Sequence, residues 1–526
     1  MSAAAVLEAP RTRAARRAVP RGLAPAAGVV VLLVLWQLAA VVMAGRHIVP
    51  TPLSVVHALV DDGFYGSSLA TTAWEALRGY LWGNAIAFVL AAVCVLVPPL
   101  QSVLTRLAVA TYCTPTIAVG PLLIVLFSAD TTKVVMSALS VFFLTLLGAL
   151  LGLSSAPQTS LDLVHVAGGS RAFALWRVRL RAAVPATTAA LSLAAPAALL
   201  GAMIGEYLGG DSGLGVVMVQ AQQSLEVPRT WAVALLATAL STVVYLAIAR
   251  LARALSFEVT ATDLAASPAR GSRHRVRAFL SGLLSVVAVL AVWWVGVRVA
   301  LDPYLAKTPG EVWGYLASGA GAAGHRHDVG SSLLTTLGDA GLGYVVGTLV
   351  ALLLAGLFLV SPLVEGMFLP VVLALRSVPL VAMTPLIALV FGRGLLGVTV
   401  LAGAITLVPT LVNVVAALRG VPRPATDLLH AYAVPALRAL VTVRFVYAVP
   451  ALAASARIAV PGALLGAVLA ELLATGHGLG HFLAISTING DFLALWSGVA
   501  VLTAVSLAFY IALSALETAT LERLGR

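Results

Sequence analysis

The stretch Pro196-Ala-Ala-Leu-Leu-Gly201-Ala-Met-Ile-Gly205-Glu206-Tyr-Leu-Gly-Gly-Asp-Ser-Gly213-Leu-Gly215 is written a second time, as Pro461-Gly-Ala-Leu-Leu-Gly466-Ala-Val-Leu-Ala470-Glu471-Leu-Leu-Ala-Thr-Gly-His-Gly478-Leu-Gly480. Of the 20 aligned positions 11 are identical. The same shift of 264 to 265 residues carries Ser67-Ser68-Leu69 and Thr71-Thr72 onto Ser331-Ser332-Leu333 and Thr335-Thr336, and Gly79-Tyr80 onto Gly343-Tyr344. It also carries Pro115 and Pro121 onto Pro379 and Pro385, and Asp162 and His165 onto Asp427 and His430. Agreement at a constant offset over so many positions marks an internal duplication, so the fold is one unit read twice.

Each unit is apolar. Of 526 residues 60% are hydrophobic and 10% charged, a balance that excludes soluble, disordered and collagen-like chains. Cys94 and Cys113 are the only cysteines and lie inside apolar runs, which excludes a disulfide scaffold. The net charge of +11 could suggest nucleic acid, but the basic residues sit in short patches between apolar runs, where they set membrane orientation.

A helix needs roughly 20 apolar residues to cross a bilayer. About twelve such runs occur: Leu23–Ala44, Tyr80–Val97, Leu104–Phe127, Val134–Leu153, Pro185–Leu208 and Trp231–Leu251, then Phe279–Ala300, Tyr344–Val360, Phe368–Phe391, Leu395–Leu418, Phe445–Leu473 and Leu493–Leu516. The first exceeds an ordinary signal-peptide core and reads as an uncleaved anchor. With the amino terminus inside, Arg11, Arg13, Arg16, Arg17, Arg21, Arg106, Arg171, Arg177, Arg179 and Arg181 all fall on the cytoplasmic side of the first half. Only Arg46, Arg78, Lys133 and Arg229 fall at or near the other. The expected fold is therefore an all-α integral membrane protein of two six-helix bundles. Six is even, so the repeats run parallel, with both termini cytoplasmic and a pathway at their interface. The expected divisions are a basic tail over 1–22, repeats over 23–257 and 278–526, and a polar cytoplasmic linker over 258–277.

Between the fourth and fifth spans the first repeat reads Asp162-Leu-Val-His165-Val-Ala-Gly168-Gly-Ser170-Arg171, with Pro185 seventeen residues after Gly168. Here the chain resembles the inner-membrane permeases of ABC importers, whose loop has Glu-Ala-Ala-x-x-x-Gly followed at that distance by proline. The match rests on Gly168, Ser170, Arg171, Val178, Leu180 and Pro185, while Asp162, Leu163 and Val164 stand where the family has glutamate and two alanines. The second copy keeps Asp427, His430 and Pro450, puts Ala433 in place of the glycine and adds Pro435. The Gly205-Glu206 and Ala470-Glu471 segments, with their Gly-Leu-Gly sequels, resemble the permeases of sulfonate, taurine, nitrate and pyrimidine-precursor importers.

The resemblance implies a fused permease of the smaller, type I importer fold in a prokaryotic plasma membrane. It implies that the loops holding Asp162, His165, Gly168, Ser170, Arg171, Asp427, His430 and Ala433 couple to two copies of a cytoplasmic ATP-binding subunit. It further implies an extracytoplasmic substrate-binding protein, ATP consumed by the partner subunits, and import by alternating access of a small polar organic solute with an anionic or heteroaromatic group. No cofactor is expected on this chain, because neither lysine completes a phosphate-binding loop: Thr132 precedes Lys133 and Ala306 precedes Lys307. The chain accordingly reads as a transporter subunit and not an enzyme.

Candidate pathway or gate residues follow from position. Gly201 and Gly205 make a small-residue stripe with Ala197, repeated at Gly462 and Gly466, which serves either packing or a pore wall. Glu206, Glu471, Arg376 and Arg457 are ionisable groups at membrane depth. The two arginines replace Tyr112 and Ser192 of the first repeat; they either make one wall cationic for an anionic solute or, for Arg457, pair with an acid such as Glu471. His325 with His327, and His477 with His481, lack the acidic or cysteine company of a metal site. The alternative class is an ion-driven secondary transporter using Glu206 and Glu471 as proton-linked carboxylates.

Overall fold

A computed structural model describes residues 23–46, 49–61, 65–255, 275–375, 380–432 and 434–523. Among them the regular structure is helical. The first repeat contains α1 (Leu23–Val42), α2 (Pro52–Asp61), α3 (Tyr65–Leu96), α4 (Pro98–Cys113), α5 (Thr116–Leu126), α6 (Ala129–Ser154), α7 (Gln158–Val166), α8 (Arg171–Ala174), α9 (Leu180–Gly209), α10 (Leu214–Gln223) and α11 (Val227–Leu255). The second contains α12 (Arg275–Ala300), α13 (Pro309–Trp313), α14 (Ala322–Val360), α15 (Pro362–Leu375), α16 (Leu380–Phe391), α17 (Leu395–Arg419), α18 (Arg423–Ala431), α19 (Ala436–Ala439), α20 (Phe445–Leu473), α21 (Gly478–Ile488) and α22 (Phe492–Arg523). The expected tail over 1–22 and most of the linker over 258–277 lie outside the described residues.

Among the described residues each of the twelve apolar runs is largely helical, but they are not twelve equal spans. Eight helices among the described residues are long and apolar enough to cross a membrane. α1 and α12 open each repeat, with apolar stretches over Ala27–Val42 and Val286–Val299 among the described residues. The expected third span, Leu104–Phe127, is broken into α4 and α5, which meet at 92°. Pro115 causes the break: it disfavours helical geometry at Thr114, which adopts φ −78° and ψ 112°, and it brings no N–H to continue the ladder. The counterpart run is helical on either side of 376–379. The second spans begin earlier than hydropathy suggests, at Tyr65 and Ala322, and the added turns lead to buried polar residues, Thr72 and Glu75 in α3 and Thr336 and Asp339 in α14.

The repeats interlock reciprocally. α1 packs on α15 and α12 on α4, so the opening helix of each repeat lies against the other repeat. α5 meets α20 and α21, and α16 meets α9 and α10. One hydrophobic core joins Ile117, Leu122, Met136 and Ile204 of the first repeat to Leu401, Leu464 and Leu469 of the second. Within each repeat glycine lets backbones touch, with Gly79 set against Ser137 of α6 and Gly343 against Ala402 of α17.

Candidate functional site

The break between α4 and α5 opens a cavity of about 250 Å³ between the repeats. Thr111, Tyr112, Thr114 and Thr116 line it at the break, Ser140 and Phe143 from α6, Ala197 from α9, Ile405 and Pro409 from α17, and Ile458, Pro461 and Gly462 from α20. Tyr112 stacks on Phe143 with ring centroids 4.1 Å apart, and its hydroxyl donates to the Ile458 carbonyl at 3.0 Å, tying one repeat to the other. Other hydroxyls donate to their own helices: Thr111 to Leu107 O, Thr114 to Ala110 O and Ser140 to Met136 O. With their protons so used, these side chains can offer a solute only oxygen lone pairs. No charged side chain occurs among the described lining residues.

Arg457 is not part of that lining. Its Nη1 lies 3.1 Å from Glu517 Oε2 on α22, and its guanidinium sits over the Tyr510 ring. The acidic partner is Glu517 and not Glu471. Arg376 and Ala433 lie outside the described residues.

At one end of the bundle, Glu206 and Glu471 are 1% and 0% exposed and bound by equivalent partners, on both carboxylate oxygens in Glu206 and on Oε2 alone in Glu471. The Thr72 hydroxyl of α3 donates to Glu206 Oε1 at 2.6 Å, and Glu206 Oε2 accepts from the Gly215 N–H at 2.6 Å. The Leu214 N–H donates to Thr72 Oγ1 at 2.8 Å. In the second repeat Thr336 donates to Glu471 Oε2 at 2.7 Å, Gly480 N–H donates to the same oxygen at 2.8 Å, and Leu479 N–H donates to Thr336 Oγ1 at 2.8 Å. Each glutamate thereby supplies acceptors to the first N–H groups of α10 or α21, which have none within their helix. Gly213 at φ +113° and Gly478 at φ +86° make the turns in; a Cβ at either would overlap the carboxylate. The Ser-Ser-Leu-x-Thr-Thr repeat thus carries the threonine of the staple.

The repeats differ beside these staples. Lys133, fully buried, lies 3.0 Å from Glu75 Oε1 and 2.9 Å from Asp211 Oδ1, with Asp130 at 3.6 Å. Sequence reading took Lys133 as a basic residue near the outer side and as one of two lysines that complete no phosphate-binding loop, and did not find its acidic partners. The 264 to 265 shift turns Glu75, Lys133 and Asp211 into Asp339, Val398 and Gly476. Asp339 is buried, and among the described residues its one ion-pair partner is His477, whose Nδ1 lies 3.9 Å from Oδ2.

At the opposite end of α6 stands the loop with the family-like pattern. α7 exposes Asp162 and His165 together with Leu163 and Val166, so apolar and polar groups share one free surface. Gly168 turns the chain at φ +74°, and Ser170 caps α8 by accepting from the Phe173 N–H at 3.2 Å. Arg171 is exposed on α8. Arg179 donates to Leu153 O at 2.8 Å, anchoring the loop to the end of α6. The second loop follows the same course through α18, with Asp427 exposed and His430 on the helix, then α19 and a π-turn at Leu440–Arg444 that matches Leu175–Arg179. Pro185 and Pro450 lie inside α9 and α20, one turn after those π-turns.

The small-residue stripes divide between two duties. A Cβ on Gly201 would lie 2.5 Å from Met136 O, and one on Gly205 would lie 2.7 Å from Lys133 Cα, so both pack α9 against α6. Gly466 packs on Ala402 and Ile405 of α17, whereas Gly462 borders the cavity.

Known proteins are similar to this chain in sequence. The family model of the binding-protein-dependent transport system inner membrane component matches the chain twice, over residues 83–257 and 343–525. A probable ABC transporter permease protein of Haemophilus influenzae is 31% identical over 221 residues, covering 41% of this chain and 90% of that protein. A riboflavin transport system permease protein of Chloroflexus aurantiacus is 32% identical over 148 residues, 28% of this chain and 55% of the relative. A formylaminopyrimidine transport permease protein of Halalkalibacterium halodurans is 24% identical over 198 residues, 37% and 79% respectively. Each relative aligns over less than half of this chain, as a single permease unit would against a duplicated one. The chain belongs to the family of binding-protein-dependent transport system inner membrane components, with the family's unit present twice in one polypeptide.

Proposed function

We propose that this chain is the complete transmembrane pathway of an ATP-driven importer, working with two copies of a cytoplasmic ATPase subunit and an extracytoplasmic binding protein. The observation that carries this reading is the cavity enclosed between two repeats of one chain, with a similar exposed loop on each repeat at one end. Docking of ATPases on the loops around Asp162–Arg171 and Asp427–His430 would push α9 and α20 through the π-turns at their starts, closing the cavity at one end and opening it at the other. On this reading the loops and both termini lie in the cytoplasm.

The lining supports a finer statement about the solute. An anion needs several donors or cations, and the described wall offers aromatic faces, lone pairs and, as an uncommitted donor, the single Thr116 hydroxyl. A neutral ring carrying N–H groups fits better: the ring stacks on Tyr112 or Phe143, and the N–H groups meet threonine and serine oxygens. Between the heteroaromatic and anionic classes expected from sequence, the cavity favours the former. Glu206 and Glu471 act here as structural staples, which argues against a proton-carrying role.

The test is uptake into liposomes containing the chain, its ATPase subunits and its binding protein, using a labelled aminopyrimidine and taurine as probes. ATP-dependent uptake of the aminopyrimidine, and none of taurine, is the expected result. Uptake undiminished without the ATPase subunits overturns the ATP-driven reading; preference for taurine overturns the solute class alone.

A further inference from the structure

The cavity lies between duplicated repeats, yet its polar groups are not duplicated. Every side-chain hydroxyl among the described lining residues belongs to the first repeat: Thr111, Tyr112, Thr114 and Thr116 at the helix break, and Ser140 on α6. From the second repeat come Ile405, Pro409, Ile458, Pro461 and Leu465, all apolar. The shift of 264 to 265 residues matches Thr111, Thr114, Thr116 and Ser140 with Leu375, Val378, Leu380 and Ile405, so each hydroxyl has a hydrocarbon counterpart. Among the described residues, a solute between the repeats therefore meets hydrogen-bonding oxygens on one side and hydrocarbon on the other.

One of the five hydroxyls differs from the rest. A threonine or serine in a helix commonly donates to the carbonyl four residues earlier, as Thr111 does to Leu107 O, Thr114 to Ala110 O and Ser140 to Met136 O. Thr116 is the first residue of α5, and the residue four earlier is Tyr112, across the 92° bend on α4. The break takes the usual acceptor away, and among the described residues the Thr116 hydroxyl has no hydrogen-bond partner. It keeps a proton to give, whereas Thr114, on the other side of Pro115, keeps only lone pairs. The volume of about 250 Å³ falls below the roughly 300–1,000 Å³ of pockets for drug-sized ligands, which suits a single ring.

We propose that the cavity recognises its solute by one edge, with Thr116 as the specificity-determining donor. Its O–H donates to a ring nitrogen, and an amino group next to that nitrogen donates to the lone pairs of Thr114 or a neighbouring hydroxyl. The opposite edge of the ring packs on Ile405, Ile458 and Leu465 of the second repeat. The solute class is thus a single aromatic ring with an amino group beside a ring nitrogen on one edge and carbon alone on the other. The two repeats divide the labour: the first selects by hydrogen bonds, and the second rejects a polar far edge by leaving it unpaired. This deepens the reading of the cavity as the solute site and rests on it.

The experiment is calorimetric titration of the full chain in lipid nanodiscs near neutral pH, with empty nanodiscs as the blank. The probes are an aminopyrimidine whose amino group adjoins a ring nitrogen, and aniline, which keeps the ring and the amino group but has no ring nitrogen. Thr116→Val should weaken the aminopyrimidine about tenfold, the loss of one hydrogen bond to a buried acceptor, and leave aniline unchanged. Thr116→Ser should bind both rings as the unaltered chain does, and Thr116→Ala gives the same comparison if the valine variant fails to fold. On the far edge of the pyrimidine a methyl group should bind about tenfold more tightly than a hydroxymethyl group, and Ile405→Ser, which copies Ser140, should narrow that gap. An equal effect of Thr116→Val on both rings, no effect on either, or a preference for hydroxymethyl overturns the proposal and leaves a ring-binding cavity standing. Binding of neither ring by the unaltered chain overturns the solute reading itself, and this inference with it.

Discussion

Replacing Thr72 by valine isolates the staple, because the two side chains have nearly the same shape and only the hydroxyl disappears. Thr72 is fully buried, so no water replaces it. Two bonds go at once: the 2.6 Å donation to Glu206 Oε1 and the 2.8 Å acceptance from Leu214 N–H. A buried group left without its partner costs about 1–3 kcal/mol, more when it is charged, so the pair should cost about 3–4 kcal/mol. The Gly215 bond to Glu206 Oε2 survives, and the loss therefore falls mainly on the turn into α10. At about 1.4 kcal/mol per factor of ten, local opening there becomes about 140- to 700-fold more frequent. Amide exchange at Leu214, measured on the full chain in nanodiscs, reads this directly. Thr336→Val should do the same at Leu479, and the double variant should show both effects without coupling, since they lie in separate repeats. Thr71→Val is the control: Thr71 is on the same helix but donates only to Ser67 O of its own turn, and it should shift exchange at Leu214 by less than about 0.5 kcal/mol. Equal behaviour of the Thr71 and Thr72 variants refutes the staple.

Gly201→Val should separate α9 from α6, with a destabilisation of about 2–3 kcal/mol seen as a lowered thermal midpoint; Gly462→Ala, which meets only Ile405 Cγ2 at 3.0 Å, should stay folded and instead weaken solute binding measured by calorimetry. The hydrogen bond from Lys133 holds the Asp211 carboxyl below the usual carboxylate range. Its contribution is accordingly complete above about pH 4, the ordinary carboxylate value, and is lost as pH falls through the lower folded value; Asp211→Asn should remove that acid-side loosening of residues 210–216 in exchange experiments. Gly168→Ala forces a side chain into φ +74° at a cost of about 1 kcal/mol, and should lower ATPase-subunit affinity in co-purification without changing the thermal midpoint of the bundle.

The duplication made the architecture readable, because a motif that recurs at a fixed offset locates equivalent elements whatever their hydropathy. It also named Glu206, Thr72 and Gly213 as a set, through their copies, without saying that they touch. What the sequence hid is of two kinds. Polar first turns look like loops to a hydropathy count, and so Glu75 and Asp339 fell outside the expected spans although both are buried in helices. Pairing is also invisible in one dimension: Lys133 lies 58 positions from Glu75 and 78 from Asp211. The expected Arg457–Glu471 pair failed for the same reason, since Glu517 on α22 is a neighbour only after folding. Positional equivalence between repeats misleads where they have diverged, as Arg457 shows: its counterpart is Ser192, a buried residue that donates to Thr188 O of its own helix.

Tyr112 is where cavity, helix break and repeat interface meet, and Tyr112→Phe tests whether one residue serves all three. The ring stack on Phe143 survives the change, as does the wall it presents to a solute, and only the 3.0 Å donation to Ile458 O is lost. That carbonyl belongs to the turn of α20 disturbed by Pro461, whose missing N–H leaves the Arg457 carbonyl free, so the turn bends more easily than a regular helix. A bond across such a point holds the repeats together without stiffening either one. Its loss should favour the separated arrangement by about 1 kcal/mol, a change of about fivefold, read as faster cross-linking or a longer spin-label distance between α4 and α20. Binding of a ring-bearing solute should change little, because the hydroxyl proton was already committed to Ile458. If Tyr112→Phe instead abolishes solute binding while the distance between α4 and α20 is unchanged, the hydroxyl serves the solute and not the interface, and the lone-pair character assigned to the wall is wrong.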